Sequence, residues 1–222
     1  VASFIELMNQ RARELGCTGT HFANTHGLHD DDHYTTAYDI CLFTREALKH
    51  DLIREVVGTS VYTVPATNMS GERHFWDTNA LITSWRVQGY TYEYATGIKT
   101  GSTPEAGFNL ITTAKKDGQT YMLVVMGTPY EKDEYGYGMA FSVTAQIYDW
   151  VFDSLSVRPA LDTTQDITEI KVKYCSEQDT LKLRPASDLM TLLPIESDET
   201  TINKEFHLPE AVTAPIEAGD VV

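Results

Sequence analysis

Asp117-Gly118 stands between two segments of alternating and β-branched residues, 108–114 and 120–126. A two-residue Asp-Gly link favours a turn whose central residues both take positive φ. That turn matches the right-handed twist of the strands it joins. Residues 108–126 are therefore predicted to form an antiparallel hairpin. The segment 92–100 is strand-like at its end, where it reaches Lys99-Thr100. Shorter alternating stretches at 60–64, closed by Pro65, and at 73–76 read as two more strands.

Helical spacing frames this β region. Residues 3–15 carry Phe4, Ile5, Met8, Ala12 and Leu15 on one stripe. Ser3-x-x-Glu6 has the form of a capping box, and Gly16 suits the position just past the helix. A second helix is predicted from about Thr36, with Ile40, Cys41, Phe43, Thr44, Ala47 and Leu48 as its apolar stripe. Asp51 is expected to cap a third helix through Val57, ended by Gly58. A longer helix over 139–154 presents Phe141, Ala145, Ile147, Tyr148, Trp150, Val151 and Leu155. Trp150 on that stripe is assigned to the core.

The texture changes at Pro159. Beyond it lie short alternating runs at 167–174, 180–183, 189–193 and 202–207, separated by turn residues. They predict an all-β module of about sixty residues, which is small for independent stability. The expected division is 1–158 and 159–222.

Charge narrows the partners. There are 32 acidic against 17 basic residues, a formal net charge of −15. Phosphate-rich partners need basic surface, so nucleic acid is excluded as a partner and anionic lipid is disfavoured. No window approaches eighteen apolar residues, so no bilayer-crossing span is predicted. The cysteines Cys17, Cys41 and Cys175 are odd in number and include no C-x-x-C. That argues against a disulfide framework and a zinc ribbon. The opening residues lack a basic segment followed by a long apolar core, and Val1 stands where Met would. The expectation is a processed or truncated product.

The chemistry concentrates in Gly97-Ile98-Lys99-Thr100-Gly101-Ser102-Thr103. A K-T-G triplet arises by chance in roughly one chain of this size in twenty, so its setting must carry the weight. It sits on a predicted strand, followed by Pro104-Glu105 and then the hairpin. A strand edge can pair with an extended peptide. Gly101 lacks a Cβ and allows close approach. Lys99 and Thr100 together can hold a free carboxylate by charge-assisted hydrogen bonds. A backbone N–H just beyond can face a developing oxyanion.

Three separated stretches resemble the serine D-alanyl-D-alanine carboxypeptidases of the low-molecular-mass penicillin-binding type, peptidase family S11. They are Phe4-Ile5-Glu6-Leu7-Met8-Asn9 with Arg13-Glu14-Leu15-Gly16; Thr20-His21-Phe22-Ala23-Asn24-Thr25-His26-Gly27-Leu28 with His33 to Asp39; and the Lys99 stretch with Ala106-Gly107-Phe108-Asn109-Leu110. The resemblance implies an α/β (α+β) fold: a β-lactamase/transpeptidase-like domain whose antiparallel sheet is flanked by helices, with its N-terminal part missing. Part of a small all-β domain would follow. It implies a hydrolase that trims peptidoglycan stem peptides through an acyl-enzyme and binds β-lactam antibiotics, with no cofactor and no metal. The protein would act outside the cytoplasm, in the cell envelope. Lys99 and Thr100 would bind the substrate carboxylate, Gly101 would admit the substrate strand, and the Ser102 N–H would serve the oxyanion hole. The chain departs from the family pattern in having no S-x-x-K and no S-x-N. The nucleophile and its lysine are therefore expected upstream of Val1, possessed by a complementary N-terminal chain if the piece is to act. Alone it should be inactive.

Rival readings are a β-lactamase, a non-catalytic peptidoglycan-binding protein, and a metal-dependent hydrolase built on His21, His26, His29 and His33 with Asp30, Asp31 and Asp32. The spacings of that loop fit neither H-E-x-x-H nor a calcium loop, so packed-loop roles are expected for its histidines. The acidic, tyrosine-rich stretch 130–137 reads as a solvated loop. Trp76 and Trp85 are candidates for lining a glycan site.

Overall fold

The Asp-Gly turn forms as expected, with Asp117 at φ 51° and Gly118 at φ 80°. The structure, a computed structural model, describes residues 2–129, 138–197 and 202–221; the stretch 130–137 lies outside them. The chain divides into two units, Val1–Trp150 and Val151–Val222.

The first unit runs α1 (Ala2–Glu14), α2 (Ala37–Ala47), α3 (Asp51–Val57), β1 (Val61–Val64), β2 (Arg73–Trp76), β3 (Ala95–Thr103), β4 (Gly107–Lys116), β5 (Gln119–Thr128) and, as far as Trp150, α4 (Met139–Ser154). Its main sheet is antiparallel, in the order β3-β4-β5, with Lys116 opposite Gln119 at the turn. β1 and β2 form a separate antiparallel ribbon. This is the mixed α/β architecture expected, with helices against an antiparallel sheet.

α4 presents Phe141, Thr144 and Tyr148 inward, at the three- and four-residue spacing that shares one helix face. Phe141 joins Leu110, Ala80, Leu81 and Tyr90 in the core, its ring 5.4 Å from that of Phe108. Burying one such phenylalanine contributes about 2–3 kcal/mol. Trp150 does not share this face. It follows Tyr148 by about 200° of helical rotation and is 60% exposed, so its expected core position is corrected.

α1 ends as the sequence suggests. Gly16 takes φ 85°, and the N–H groups of Gly16 and Cys17 donate to Arg13 O and Ala12 O, both at 3.0 Å. Its start differs from expectation, because Ser3 lies inside the helix and Glu6 pairs with Arg13 at 2.9 Å. Phe4 leaves the expected stripe and is 59% exposed. The buried positions are Asn9 and Ala12. Asn9 acts like a piece of backbone: its Nδ2 donates to Phe22 O at 2.9 Å and its Oδ1 accepts from Phe22 N–H at 2.8 Å. For α3 the cap is His50, without a side-chain bond, and Asp51 lies in the first turn beside Arg54.

Thr36 caps α2 by accepting from Asp39 N–H at 3.1 Å. Asp39 is buried, and its carboxylate accepts from Thr20 Oγ1 at 2.6 Å and Gly19 N–H at 2.8 Å. The Thr20 hydroxyl, followed by the backbone N–H groups of Gly19 and Thr18, holds this carboxyl below its ordinary range against the opposing effect of burial. A carboxyl depressed in the folded state stabilises the fold above its unfolded pKa, and that support disappears as pH falls through the folded value. Acid unfolding from about pH 4 downward should therefore be less steep in Asp39→Asn than in the wild type, with lower stability at neutral pH. Equal pH slopes by circular dichroism would contradict the assignment.

The second unit contains β6 (Leu155–Leu161), β7 (Thr168–Lys173), β8 (Thr180–Leu183), β9 (Leu189–Pro194) and β10 (Ala211–Thr213). β6 pairs with β9, and the order β10-β7-β8 makes the other sheet. β6 is absent from the sequence-based expectation because Pro159 reads as a break. The structure sets Pro159 opposite Met190 just where the register shifts, a place that tolerates a residue without an N–H. The strand predicted at 202–207 does not form, and β10 pairs in parallel with β7 instead. Both edges of β7 are then taken, by β8 and β10, so alternation at 202–207 finds no partner there.

Candidate functional site

Lys99, Thr100, Gly101 and Ser102 all lie on β3. Their register is set by β4, with Lys99 opposite Ile111, Thr100 opposite Leu110, Gly101 opposite Asn109 and Ser102 opposite Phe108. Among the described residues no strand pairs with the other edge of β3. The strand pleat turns Thr100 inward, at 7% exposure, and Lys99 and Gly101 outward. Ser102 shares the face of Thr100 but is exposed towards the strand end. Lys99 Nζ donates to its neighbour's carbonyl, Thr100 O. The direction a Cβ would take from Gly101 is open, with nothing within 4 Å. The site is a strand edge rather than a cavity. A surface depression bordered by Gly58, Ser60, Leu81 and Tyr92 includes none of these four residues.

A second element completes the site. Directly after β2 the chain turns through Asp77-Thr78-Asn79, and Thr78 Oγ1 lies 2.5 Å from Thr100 Oγ1. The turn is anchored at both ends. Asp77 N–H donates to Ser60 O at 2.9 Å, and Asp77 Oδ1 accepts from Asn79 N–H at 2.7 Å. Asn79 is fully buried, and its Oδ1 accepts from Leu81 N–H at 3.0 Å. Burial pushes the Asp77 carboxyl above its ordinary range, opposed by the Asn79 N–H, the positive charge of Lys99 and the Thr78 N–H. Sequence reasoning missed Asp77 and Thr78. The signal available was local: Asp and Asn at this spacing form side-chain-to-backbone turns. Nothing in it pointed to a strand 22 residues away.

The histidine loop is used internally. His21 Nδ1 bonds Asp32 O at 2.6 Å, His33 Nδ1 accepts from Ala23 N–H at 3.3 Å, and His26 Nδ1 accepts from Leu28 N–H at 3.2 Å. Among the described residues no group of three His, Cys, Asp or Glu side chains is placed to hold a metal ion. Trp76 and Trp85 stack on each other, with centroids 4.9 Å apart and planes 6° from parallel. No helix among the described residues is long and apolar enough to cross a membrane.

With this geometry in place, the chain can be set beside known proteins. The pattern of the peptidase S11 family, described as D-alanyl-D-alanine carboxypeptidase, matches residues 1–130. D-alanyl-D-alanine carboxypeptidase DacF of Bacillus subtilis is 29% identical over 220 residues, covering 97% of this chain and 52% of that protein. The crystal structure of the Streptomyces K15 DD-transpeptidase is 30% identical, with a TM-score of 0.58, covering 68% of this chain and 55% of that one. Penicillin binding protein 5 of Haemophilus influenzae shares the fold at 22% identity, with a TM-score of 0.64, covering 98% of this chain and 58% of that one. The chain spans about half the length of the curated relatives it matches.

Proposed function

Because the chain belongs to the peptidase S11 family of D-alanyl-D-alanine carboxypeptidases, we propose that it provides the substrate-seating half of a serine hydrolase of peptidoglycan stem peptides. One observation carries the reading: Lys99 and Thr100 stand side by side on a sheet edge with no strand partner among the described residues, and a hydroxyl of the Asp77–Asn79 turn touches Thr100. An extended peptide can add to that edge. Its terminal carboxylate would meet the Lys99 ammonium and the Thr100 hydroxyl. Its scissile carbonyl would lie near the Ser102 N–H, which supports the oxyanion.

The attacking group comes from elsewhere. None of the serines here is followed three residues later by lysine, and S-x-N is also absent. In this reading a complementary segment outside these 222 residues supplies an S-x-x-K serine. Its oxygen bonds to the penultimate D-alanine carbonyl carbon, the C–N bond breaks, and D-alanine leaves with a proton on its nitrogen. Water then cleaves the ester and restores the serine. A β-lactam would acylate the same serine by opening its ring. Because the substrate lies in the cell wall, the protein would work outside the cytoplasm.

The test is covalent labelling. A labelled penicillin should mark one serine of the full-length protein and none in the isolated 222-residue chain. The full-length protein should also release D-alanine from a stem-peptide mimic faster than it hydrolyses penicillin. Failure of the full-length protein to take the label would end this reading.

A further inference from the structure

We propose that Thr78 is a positioning residue of the carboxylate seat: its hydroxyl donates to Thr100 Oγ1 and so directs the Thr100 proton at the terminal carboxylate of the substrate. This rests on the stem-peptide reading above.

The case is one of hydrogen-bond direction. A threonine hydroxyl has one proton to donate and two lone pairs to accept with. The two oxygens are 2.5 Å apart, so one proton of the pair lies between them and the other remains available. An ionised carboxylate only accepts. Thr100 can donate to it only when the bond inside the pair runs from Thr78 to Thr100. With Thr78 as donor, Thr100 is held in one rotameric direction and its own proton is left free for the carboxylate. Without the Thr78 hydroxyl, Thr100 can rotate and give its proton to a nearby carbonyl.

The surroundings fix Thr78 well enough for this role. Its two neighbours are tied down, Asp77 through Ser60 O and Asn79 through Asp77 Oδ1. Thr100 is buried at the interface between β3 and this turn. The hydroxyl of Thr78 itself belongs to an exposed residue, so removing it leaves the core packing intact. The two hydroxyls therefore form a short relay from an anchored turn to a strand edge, next to the one cation of the K-T-G triplet.

The experiment compares Thr78→Val and Thr78→Ser in the full-length protein. The probes are an acylated tripeptide ending in D-Ala-D-Ala with a free carboxylate, and the same peptide as its C-terminal carboxamide. Thr78→Val should lower kcat/KM for the acid about tenfold, the effect of one lost hydrogen bond to a charged group, and should leave the amide almost unchanged. Thr78→Ser should recover most of the loss, and both variants should melt like the wild type. An unchanged acid-to-amide ratio in Thr78→Val would overturn the inference, as would equal impairment of Thr78→Ser or a drop in melting temperature common to both. A wild type that does not favour the acid would instead refute the carboxylate reading itself, and the Thr78 inference with it.

Discussion

Lys99→Ala in the full-length protein is expected to lower kcat/KM for a stem peptide with a free terminal carboxylate by about 10²- to 10³-fold. A hydrogen bond to a charged group contributes about 1.5–3 kcal/mol, and leaving the partner charge unpaired in a desolvated site raises the loss further. Lys99 is suited to the role by what it does not do. Its side chain is exposed on the strand edge, and its bond is to the adjacent carbonyl of Thr100. Among the described residues its charge reaches the half-buried Asp77 carboxyl but no core side chain bonds to it, so the variant should melt close to the wild type. The carboxamide probe should lose far less, because it carries no charge for the ammonium to meet. Lys99→Arg should recover only part of the loss. The guanidinium keeps the charge, but its planar fork cannot reproduce the position of a compact ammonium. Equal losses for acid and amide would remove Lys99 from the carboxylate seat.

The parts of this architecture that rest on local physics were legible in the sequence. Asp117-Gly118 fixed the hairpin because two adjacent positive-φ residues admit few other turns. That hairpin then fixed the register of β4, against which β3 presents Lys99 and Thr100. Gly16 and Thr36 marked their helix ends for equally local reasons. What failed to show were pairings that depend on distant residues. Thr78 reaches Thr100 across 22 positions, and no periodicity records such a contact. β6 was hidden because Pro159 looks like a break until its partner, Met190 at a register shift, is known. The strand expected at 202–207 failed for the opposite reason: alternation was present and a free partner edge was not. Trp150 shows how apolar character can mislead on a helix. The face is decided by rotation from Phe141, Thr144 and Tyr148, and Trp150 falls outside it.

The two glycines of the candidate strand divide the labour in a way the K-T-G motif conceals. Gly97→Ala is expected to destabilise the first unit by about 3 kcal/mol and to lower its melting temperature by roughly 6–12 °C. Gly97 takes φ 131°, a conformation that side-chain-bearing residues rarely adopt. A Cβ built on it would lie 2.6 Å from Val57 O, a backbone atom of α3 that cannot swing away as a side chain would. The strand that carries Lys99 is thus pressed against α3 at this point, and its placement depends on the missing Cβ. Gly101 is the opposite case. Its φ is ordinary and the space beside it is open, so Gly101→Ala should melt like the wild type. Any effect of that substitution should appear only when a peptide approaches the edge, as a rise in KM. Thermal unfolding followed by circular dichroism separates the two positions directly. A Gly97→Ala variant as stable as the wild type would show that α3 and β3 are not held this closely, and the placement of Lys99 would then need another source.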